Sequence, residues 1–581
     1  MVTMFTKLYH EHAFRFLVSF SCFLLVLMPL GACSSDPLQL TPLDIGIPAQ
    51  AMRSPVVGTV PDNQTLHVRI TFKIDPNLLK QAQNQPIQPG HPSHLEQFAQ
   101  KIGIDDATYQ KIKNFFNAGG IKMNLSKLRT HLSIEAHAGT LAHVLQTRFL
   151  IHKYNSQTFF APDANKPPQV PKFLADSIDA VTGLDNYSAP PVHQLTMNFQ
   201  QPATQQRSAQ DCYPQDQTLL PKEIAHAYGF DQLWNRGWHG ENMTINLVEI
   251  DGAYKDDIQN YFSCIQFKGK LSVVNVSGKP QEALGESTLD IQMVAGLARS
   301  SNIVVYQTDA SDSNSDIWAL VNDELQRLLD DNVNNANAGN VVSISLGTAE
   351  GEMTGADMRA IDSSIRQLTQ VEHMGVFIAS GDCGAFTSQV YGQLSVSFPA
   401  SDPWAIAVGG TVLQIDQNSN RYNEQAWSDN SNRSQCRNSW GSGGGNSADF
   451  KRPSWQNAPG VNNSYSRGQR QLPDVSAVAY ALAVYYKGQW GAVGGTSAAA
   501  PIWATGMALV NEGLLQQIHK FDGSPQTFYR AATTSNGQQP YYDVRQGNNL
   551  YYPATAGWDY ATGLGTPNLP AFYQAVYANL K

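Results

Sequence analysis

The chain has 581 residues, more than one typical domain, so two or more are expected. Hydrophobic residues make up 42% and charged residues 15%, which excludes a disordered chain and suits an exported globular protein. The formal net charge is -9 with no long basic tract, so the sequence gives no ground for a nucleic-acid partner.

Lys7 and Arg15 precede the apolar run "FLVSFSCFLLVLMPLGAC", which reads as an export signal over residues 1–33. Its end, Leu30-Gly31-Ala32-Cys33, resembles a bacterial lipobox, which implies a lipid anchor on Cys33. The expected location is therefore outside the cytoplasm: an outer-membrane lipoprotein, the periplasm or the extracellular space. Of six cysteines, Cys22 and Cys33 lie in this leader. Cys212, Cys264, Cys383 and Cys436 remain, an even number whose three alternative pairings the sequence leaves open. No CxxC spacing points to zinc.

Residues 34–63 are rich in Pro, Gly and small polar residues and read as a linker. "TLHVRITFKI" alternates as a half-buried strand does. "HLEQFAQKIGI" and "DDATYQKIKNFFNAGG" read as helices, "KLRTHLSIEAHA" as a strand, and "GTLAHVLQTRFLIHKY" as a helix leading to another strand. These elements form a small α+β domain to about residue 165, followed by the proline-rich "APDANKPPQVPKFLA", read as a connector. The whole first body is bounded at 64–190. Residues 191–214 carry the polar "QQPATQQRSAQD" and read as a cleavable linker. From 215 to 581, "MTINLVEI", "NIVVYQT", "NVVSISLG", "GVFIASG" and "AIAVGGTVL" are short apolar runs ended by turn residues. Such runs suit buried parallel strands of an α/β sheet.

Three motifs in the second body carry chemistry. "GGTSAAAP" places Ser497 at the start of a helix, where the dipole favours developing negative charge. Alone, it reads equally as a helix cap. "GESTLDIQMVAGLA" puts Glu286 and Asp290 four apart on one helix face, either a solvated edge or a buried acid pair. "VFIASGDCGAF" sets Asp382 in a glycine turn after an apolar strand, at the sheet end where α/β proteins bind ligands.

In this order the motifs resemble the sedolisin family, the serine-carboxyl peptidases. "FPASDPWAIAVGGT", "WGSGGGNS", "LPDVSAVA" and "GWDYATGLGTPNL" extend the likeness over roughly residues 64–575. The resemblance implies a subtilisin-like, doubly wound parallel sheet as catalytic domain, preceded by a smaller α+β activation prodomain. It implies Ser497 as nucleophile, Glu286 as general base, Asp290 as its orienting partner, and Asp382 as a donor to the oxyanion. Carboxyls that share protons work in acid. Substrates would be proteins or peptides, with the chain's own prodomain as inhibitor and folding aid, its contacts weakened by protonation. Endopeptidase and tripeptidyl-peptidase activity both stay open. A catalytically idle surface binding protein on the same fold is the alternative.

An ordinary subtilisin triad needs a histidine ahead of Val294–Gly296, and none stands there; His239 reads as a loop or edge residue. In some relatives a glutamate at the place of Glu249 extends the acidic chain together with a tryptophan, where this sequence has Leu346. The resemblance also implies one structural Ca2+, held by the Asp543 and Asp559 carboxylates and the Val544, Thr555 and Gly557 carbonyls.

Overall fold

The computed structural model describes residues 39–581 except 85–92, 155–156, 191–211, 213–217, 282, 312–314, 335–339, 389, 430–439 and 535–538. The leader, Cys33, Cys436 and most of the 191–214 linker lie outside the described residues.

In the N-terminal domain, the strand Thr65–Phe72 buries Leu66, Val68, Ile70 and Phe72, the period-2 set expected of it. It pairs antiparallel with His131–His137 on one side and Ile178–Thr182 on the other, and Lys122–Leu125 completes a four-stranded sheet. The helix Asp106–Phe115 starts where Asp105 accepts the Thr108 amide at 2.7 Å. Two expectations are corrected. The 34–63 linker is folded from Leu40 onward: Leu40–Pro42 pairs with Gln169–Pro171, Val56–Thr59 pairs with Phe149–Tyr154, and Ile45 and Val60 enter the core. Apolar residues spaced among the prolines drive this, and composition alone hid them. The segment after residue 165 is not a connector either, because Ile178–Thr182 returns to the central sheet.

All five apolar runs of the C-terminal domain become strands of one sheet. Its order is Lys270–Asn275, Asn302–Gln307, Thr244–Glu249, Val341–Ile344, Gly375–Ala379, Ile406–Ile415 and Arg421–Ala426, with Val475–Val478 also pairing to Ile406–Ile415. Every pairing is parallel except that of Arg421–Ala426. Alternation splits the core: Ile245, Leu247 and Phe377 pack with the helices Glu286–Leu297 and Thr496–Ile518. Val248, Ile344 and Ile378 pack with the helices Ile317–Asn334 and Gly355–Gln370 on the other face. Cys212 is disulfide-bonded to Cys264 of the helix Lys255–Ile265, which ties the linker's end to this domain.

The N-terminal domain packs on that second helix pair. The Arg69 Nε lies 3.0 and 3.1 Å from the two Asp323 carboxylate oxygens, and His131 stands 3.8 Å from the same group. Thr130 donates to Gln367 at 2.7 Å, and the Lys127 amide donates to Asp330 at 2.7 Å. Asp185 of the N-terminal domain adjoins Asp316 and Asp357, and Ser188 donates to Asp357 at 2.5 Å.

The charges at this interface run against the expectation from sequence that protonation weakens its contacts. Burial opposes the charge on Asp323, but Arg69 and His131 outweigh it and hold the carboxyl well below its usual range. A depressed group gives up its stabilisation only as pH falls through its folded value. Asp185 is pushed up to about 8, by burial first and then by the charge of Asp357, and Asp316 and Asp357 are raised mainly by burial. That cluster is favoured by protonation. Asp323→Asn leaves the buried Arg69 without its counter-charge. In a Ser497→Ala background at pH 7, urea unfolding of the full chain should show a loss of about 3–5 kcal/mol. The difference should narrow only below about pH 4, where unfolded carboxyls titrate.

Candidate active site

Three adjacent parallel strands end at the site. Thr244–Glu249 delivers Glu249 and then Asp251, Val341–Ile344 delivers Ser345, and Gly375–Ala379 delivers Gly381 and Asp382. Two helices begin against this edge, one at Glu286 and one at Thr496. Parallel strands put all their carboxyl ends on one side, which is how residues far apart in sequence meet here.

Ser497 is the second residue of the helix Thr496–Ile518, and Gly495 occupies the cap position, so Ser497 is not the cap. Asp382 meets this helix end from the neighbouring strand. Its Oδ1 accepts the Thr496 amide and the Thr496 hydroxyl, each at 2.7 Å. Its Oδ2 lies toward Gly495, where a Cβ would stand 2.8 Å from that oxygen at φ +147°, so the position requires glycine. With Oδ1 accepting two bonds, Oδ2 is the oxygen left to carry a proton. Burial raises the Asp382 carboxyl to about 7; the Thr496 bonds oppose this and the charge of Glu286 adds to it.

Glu286 opens the helix Glu286–Leu297, with Asp290 one turn on, and every residue of that helix is buried. The solvated-edge alternative is thereby removed. Asp251, which sequence reasoning missed, fixes the helix start: its carboxylate accepts the amides of Leu284 (2.7 Å), Gly285 (2.9 Å) and Ser287 (3.0 Å) and the Ser287 hydroxyl (2.6 Å). The acid followed by glycine in "EIDGAY" was the available signal, but nothing local tells that its partners lie over thirty residues downstream.

Asp290 accepts the Ser345 hydroxyl at 2.7 Å, and the same hydroxyl lies 3.2 Å from the Ser497 carbonyl oxygen. Ser345, also missed, thus joins the acid pair to the Ser497 helix. Asp290 is raised well above the usual range by burial and then by the charge of Glu286. Glu249 is fully buried and is likewise raised well above it, by burial first and then by the charges of Asp290, Asp251 and Glu286. The sequence left Glu249 open between strand end and acidic chain; in the structure it ends the strand Thr244–Glu249 and is buried among the charges of Asp290, Asp251 and Glu286.

Ser497 and Asp382 face a cleft of about 30 Å³, also lined by Leu346, Thr387 and Ser397. None of its lining residues is histidine. His239 sits in a separate turn beside Glu241 and Ser300. Cys383, next to Asp382, is disulfide-bonded.

At the C-terminus, Asp559 is buried and accepts the amides of Thr555 (2.7 Å), Ala561 and Thr562 (2.9 Å each). Asp543 accepts the Gly557 amide at 3.2 Å and pairs with Arg545 at 2.6 Å. Both carboxylates therefore converge on the 555–557 segment, and Val544 is buried beside Asp543. Among the described residues no group of three or more His, Cys, Asp or Glu side chains is placed to hold a metal.

Residues 53–187 match the family profile described as "Pro-kumamolisin, activation domain", and residues 276–549 match "Subtilase family". The chain is 27% identical to kumamolisin of Bacillus sp. (strain MN-32), over 89% of this chain and 93% of that one. It is 26% identical to sedolisin of Pseudomonas sp. (strain 101), over 89% and 88%. It is 24% identical to tripeptidyl-peptidase 1 of Canis lupus familiaris, over 86% and 88%. Among solved structures, Pseudomonas sedolisin, a serine-carboxyl proteinase complexed with pseudo-iodotyrostatin, superposes with a TM-score of 0.53 at 27% identity. That match covers 62% of this chain and 98% of the other. The chain belongs to the sedolisin family of serine-carboxyl peptidases, with a pro-kumamolisin activation domain ahead of a subtilisin-like catalytic domain.

Proposed function

We propose that this peptidase works in acid and is made as a self-processing zymogen, with Ser497 as nucleophile. The observation that carries the reading is the buried row of Glu286, Asp290 and Glu249, linked to the Ser497 helix through Ser345. The Ser497 hydroxyl attacks the scissile carbonyl carbon while Glu286 takes its proton. Asp382, protonated on Oδ2, donates to the oxyanion together with the Ser497 amide. Collapse breaks the C–N bond, and Glu286 returns the proton to the leaving amine. Water then attacks the acyl-enzyme, again deprotonated by Glu286. Asp290, kept protonated by its surroundings, orients Glu286.

Self-processing is supported by where the linker's two ends are anchored. Ala189 donates to the Glu352 carbonyl, and the Glu352 carboxylate accepts from Ser388, next to Thr387 of the cleft. At the far end Leu219 pairs across to Ala481 and Ala483, close in chain to Ala479, which receives the Gly495 amide. The cut is placed in 191–214. Export by residues 1–33 and a lipid anchor at Cys33 rest on the leader and its Leu-Gly-Ala-Cys end.

One Ca2+ is also proposed, held by the Asp543 and Asp559 carboxylates and the Val544, Thr555 and Gly557 carbonyls. The donor set is all oxygen, as calcium prefers. Burial raises Asp559 to about 7 despite its amide donors, so its charge is one that a cation would stabilise. The ion would tie the C-terminal loop and takes no part in the chemistry.

Peptide hydrolysis followed from pH 3 to 9 tests the mechanism. Wild type should be most active in acid and fall as pH rises through about 7, where Asp382 loses its proton. Ser497→Ala should lose at least about a thousandfold in kcat. Asp382→Asn keeps an acceptor for Thr496 and a permanent donor for the oxyanion. It should retain part of the activity and lose most of the fall near pH 7. An activity optimum at pH 8 in wild type would contradict the acid reading.

Chelation tests the metal. At a hundredfold excess over Kd, a bound ion adds about 2.7 kcal/mol. EDTA should therefore lower Tm by about 3–4 °C in a domain of this size, with recovery on adding CaCl2 but not MgCl2. An unchanged Tm would remove the ion from the account.

A further inference from the structure

A groove runs along the outer strand of the central sheet, on the face that carries the Glu286 helix. The strand Lys270–Asn275 closes that sheet on one side, and among the described residues it pairs only with Asn302–Gln307. The amides of Lys270 and Val276 donate to the Ser301 and Gln307 carbonyls at 3.2 and 2.9 Å, so the even-numbered residues face the neighbouring strand. The N–H and C=O groups of Leu271, Val273 and Asn275 therefore point outward from the sheet edge. The same three residues line the groove, whose opposite wall is Ile258 and Phe262 of the helix Lys255–Ile265. Three lining residues are large and apolar yet exposed: Val273 at 51%, Leu284 at 49% and Tyr254 at 39%. The charged side chains among the described lining residues are Lys255, Lys279 and Lys487, and none is a carboxylate. Glu282, in the same loop as Lys279, lies outside the described residues, and counting it leaves the balance positive. Lys487 stands over the rings of Tyr254 and Tyr486 at 5.9 and 5.0 Å, which gathers charge and aromatic surface at one end of the groove.

We propose that this groove and edge form a second peptide-binding site, apart from the catalytic cleft, which takes an extended acidic segment of a protein substrate by adding it to the central sheet as a further strand. The proposal rests on the peptidase reading of Ser497. Strand addition satisfies the outward N–H and C=O groups of the edge, and alternate side chains of the added segment fall on the groove side. Apolar residues at those positions cover Val273 and Phe262, and carboxylates at the end of the segment meet the lysines. No residue bordering the cleft at Ser497 borders the groove. Ser287 and Ile291 of the Glu286 helix do line it, and Lys487 sits at the turn of the hairpin whose second strand, Gln489–Val493, runs on to Ser497. A segment held here lies beside the elements that carry both Glu286 and Ser497, which favours the chain being cut over an unrelated partner. None of the described residues of the N-terminal domain lines the groove, because that domain packs on the helices of the opposite face.

The test is binding of a fluorescent peptide, in which valines alternate with serines between paired aspartates at each end, to the full-length Ser497→Ala chain at about pH 6, where carboxylates are ionised. Anisotropy should report saturable binding that weakens at least about threefold from low to high salt. A peptide with lysines in place of the aspartates should bind at least about tenfold more weakly. Of two peptides N-methylated on alternate residue sets, one should lose binding and the other keep it, since only one set faces the sheet edge. Val273→Pro removes an outward N–H at an edge position that tolerates proline and should weaken binding at least about tenfold. It should leave the hydrolysis of short peptides by the otherwise wild-type chain unchanged. Lys279→Glu and Lys487→Glu, both on exposed residues, give a second route if Val273→Pro does not fold. In wild type, appending the segment to a cleavable peptide through a flexible linker should lower KM at least about fivefold with kcat unchanged. No saturable binding, or binding untouched by Val273→Pro and by the lysine reversals, would overturn the groove while leaving the peptidase reading intact. An effect confined to self-processing, with KM for the appended substrate unchanged, would give the groove to the chain's own linker and overturn its assignment to substrate. Binding without hydrolysis of any peptide by wild type would overturn the reading of Ser497, and the substrate role of the groove with it.

Discussion

The site depends on the desolvation of carboxyl groups at the carboxyl edge of one parallel sheet. Glu249, Glu286 and Asp290 are buried, and Asp382 is half-buried at the cleft wall beside them, so not all four can ionise together. Their protonation is favoured by the fold. Groups raised in this way contribute stability fully present below the unfolded value of about 4. That contribution is lost as pH rises through the folded values, about 7 for Asp382. The same arrangement that makes acid chemistry available therefore makes the folded domain more comfortable in acid.

The rest of the local structure serves this burial. Asp251 holds the start of the Glu286 helix with backbone amides, and Thr496 plays the reciprocal part for Asp382. Ser345 spans between Asp290 and the Ser497 helix. Gly495 is required because any side chain there would collide with Asp382. The N-terminal domain is held by a different balance. Its Arg69–Asp323 pair stays charged in mild acid, and its Asp185 cluster gains from protonation. On the proposed acid mechanism, protonation would complete the site without by itself detaching this domain, and cutting of the linker would release the catalytic body.

Much of this was legible in the sequence. The five apolar runs became neighbouring strands because uninterrupted β-branched stretches bounded by turns have few other uses in a chain of this kind. The ordered motifs around Glu286, Asp290, Asp382 and Ser497 marked residues that the sheet does bring to one edge. Asp251 and Ser345 stayed hidden because their roles lie in partners far along the chain, and a serine or aspartate in a loop has many ordinary uses. The folded stretch after Leu40 was hidden for the opposite reason. Its proline content suggested a tether, while a few well-spaced aliphatic residues dock it on the N-terminal core.

The most direct measurement is intact mass of the full chain during incubation at about pH 4 and at pH 7, for wild type and Ser497→Ala, the acid value being chosen near ordinary carboxyl values. The account predicts that only wild type in acid loses its first roughly 200 residues, the length set by the domain boundary. Wild type and Ser497→Ala trimmed alike, or wild type cut faster at pH 7 than at pH 4, would contradict it.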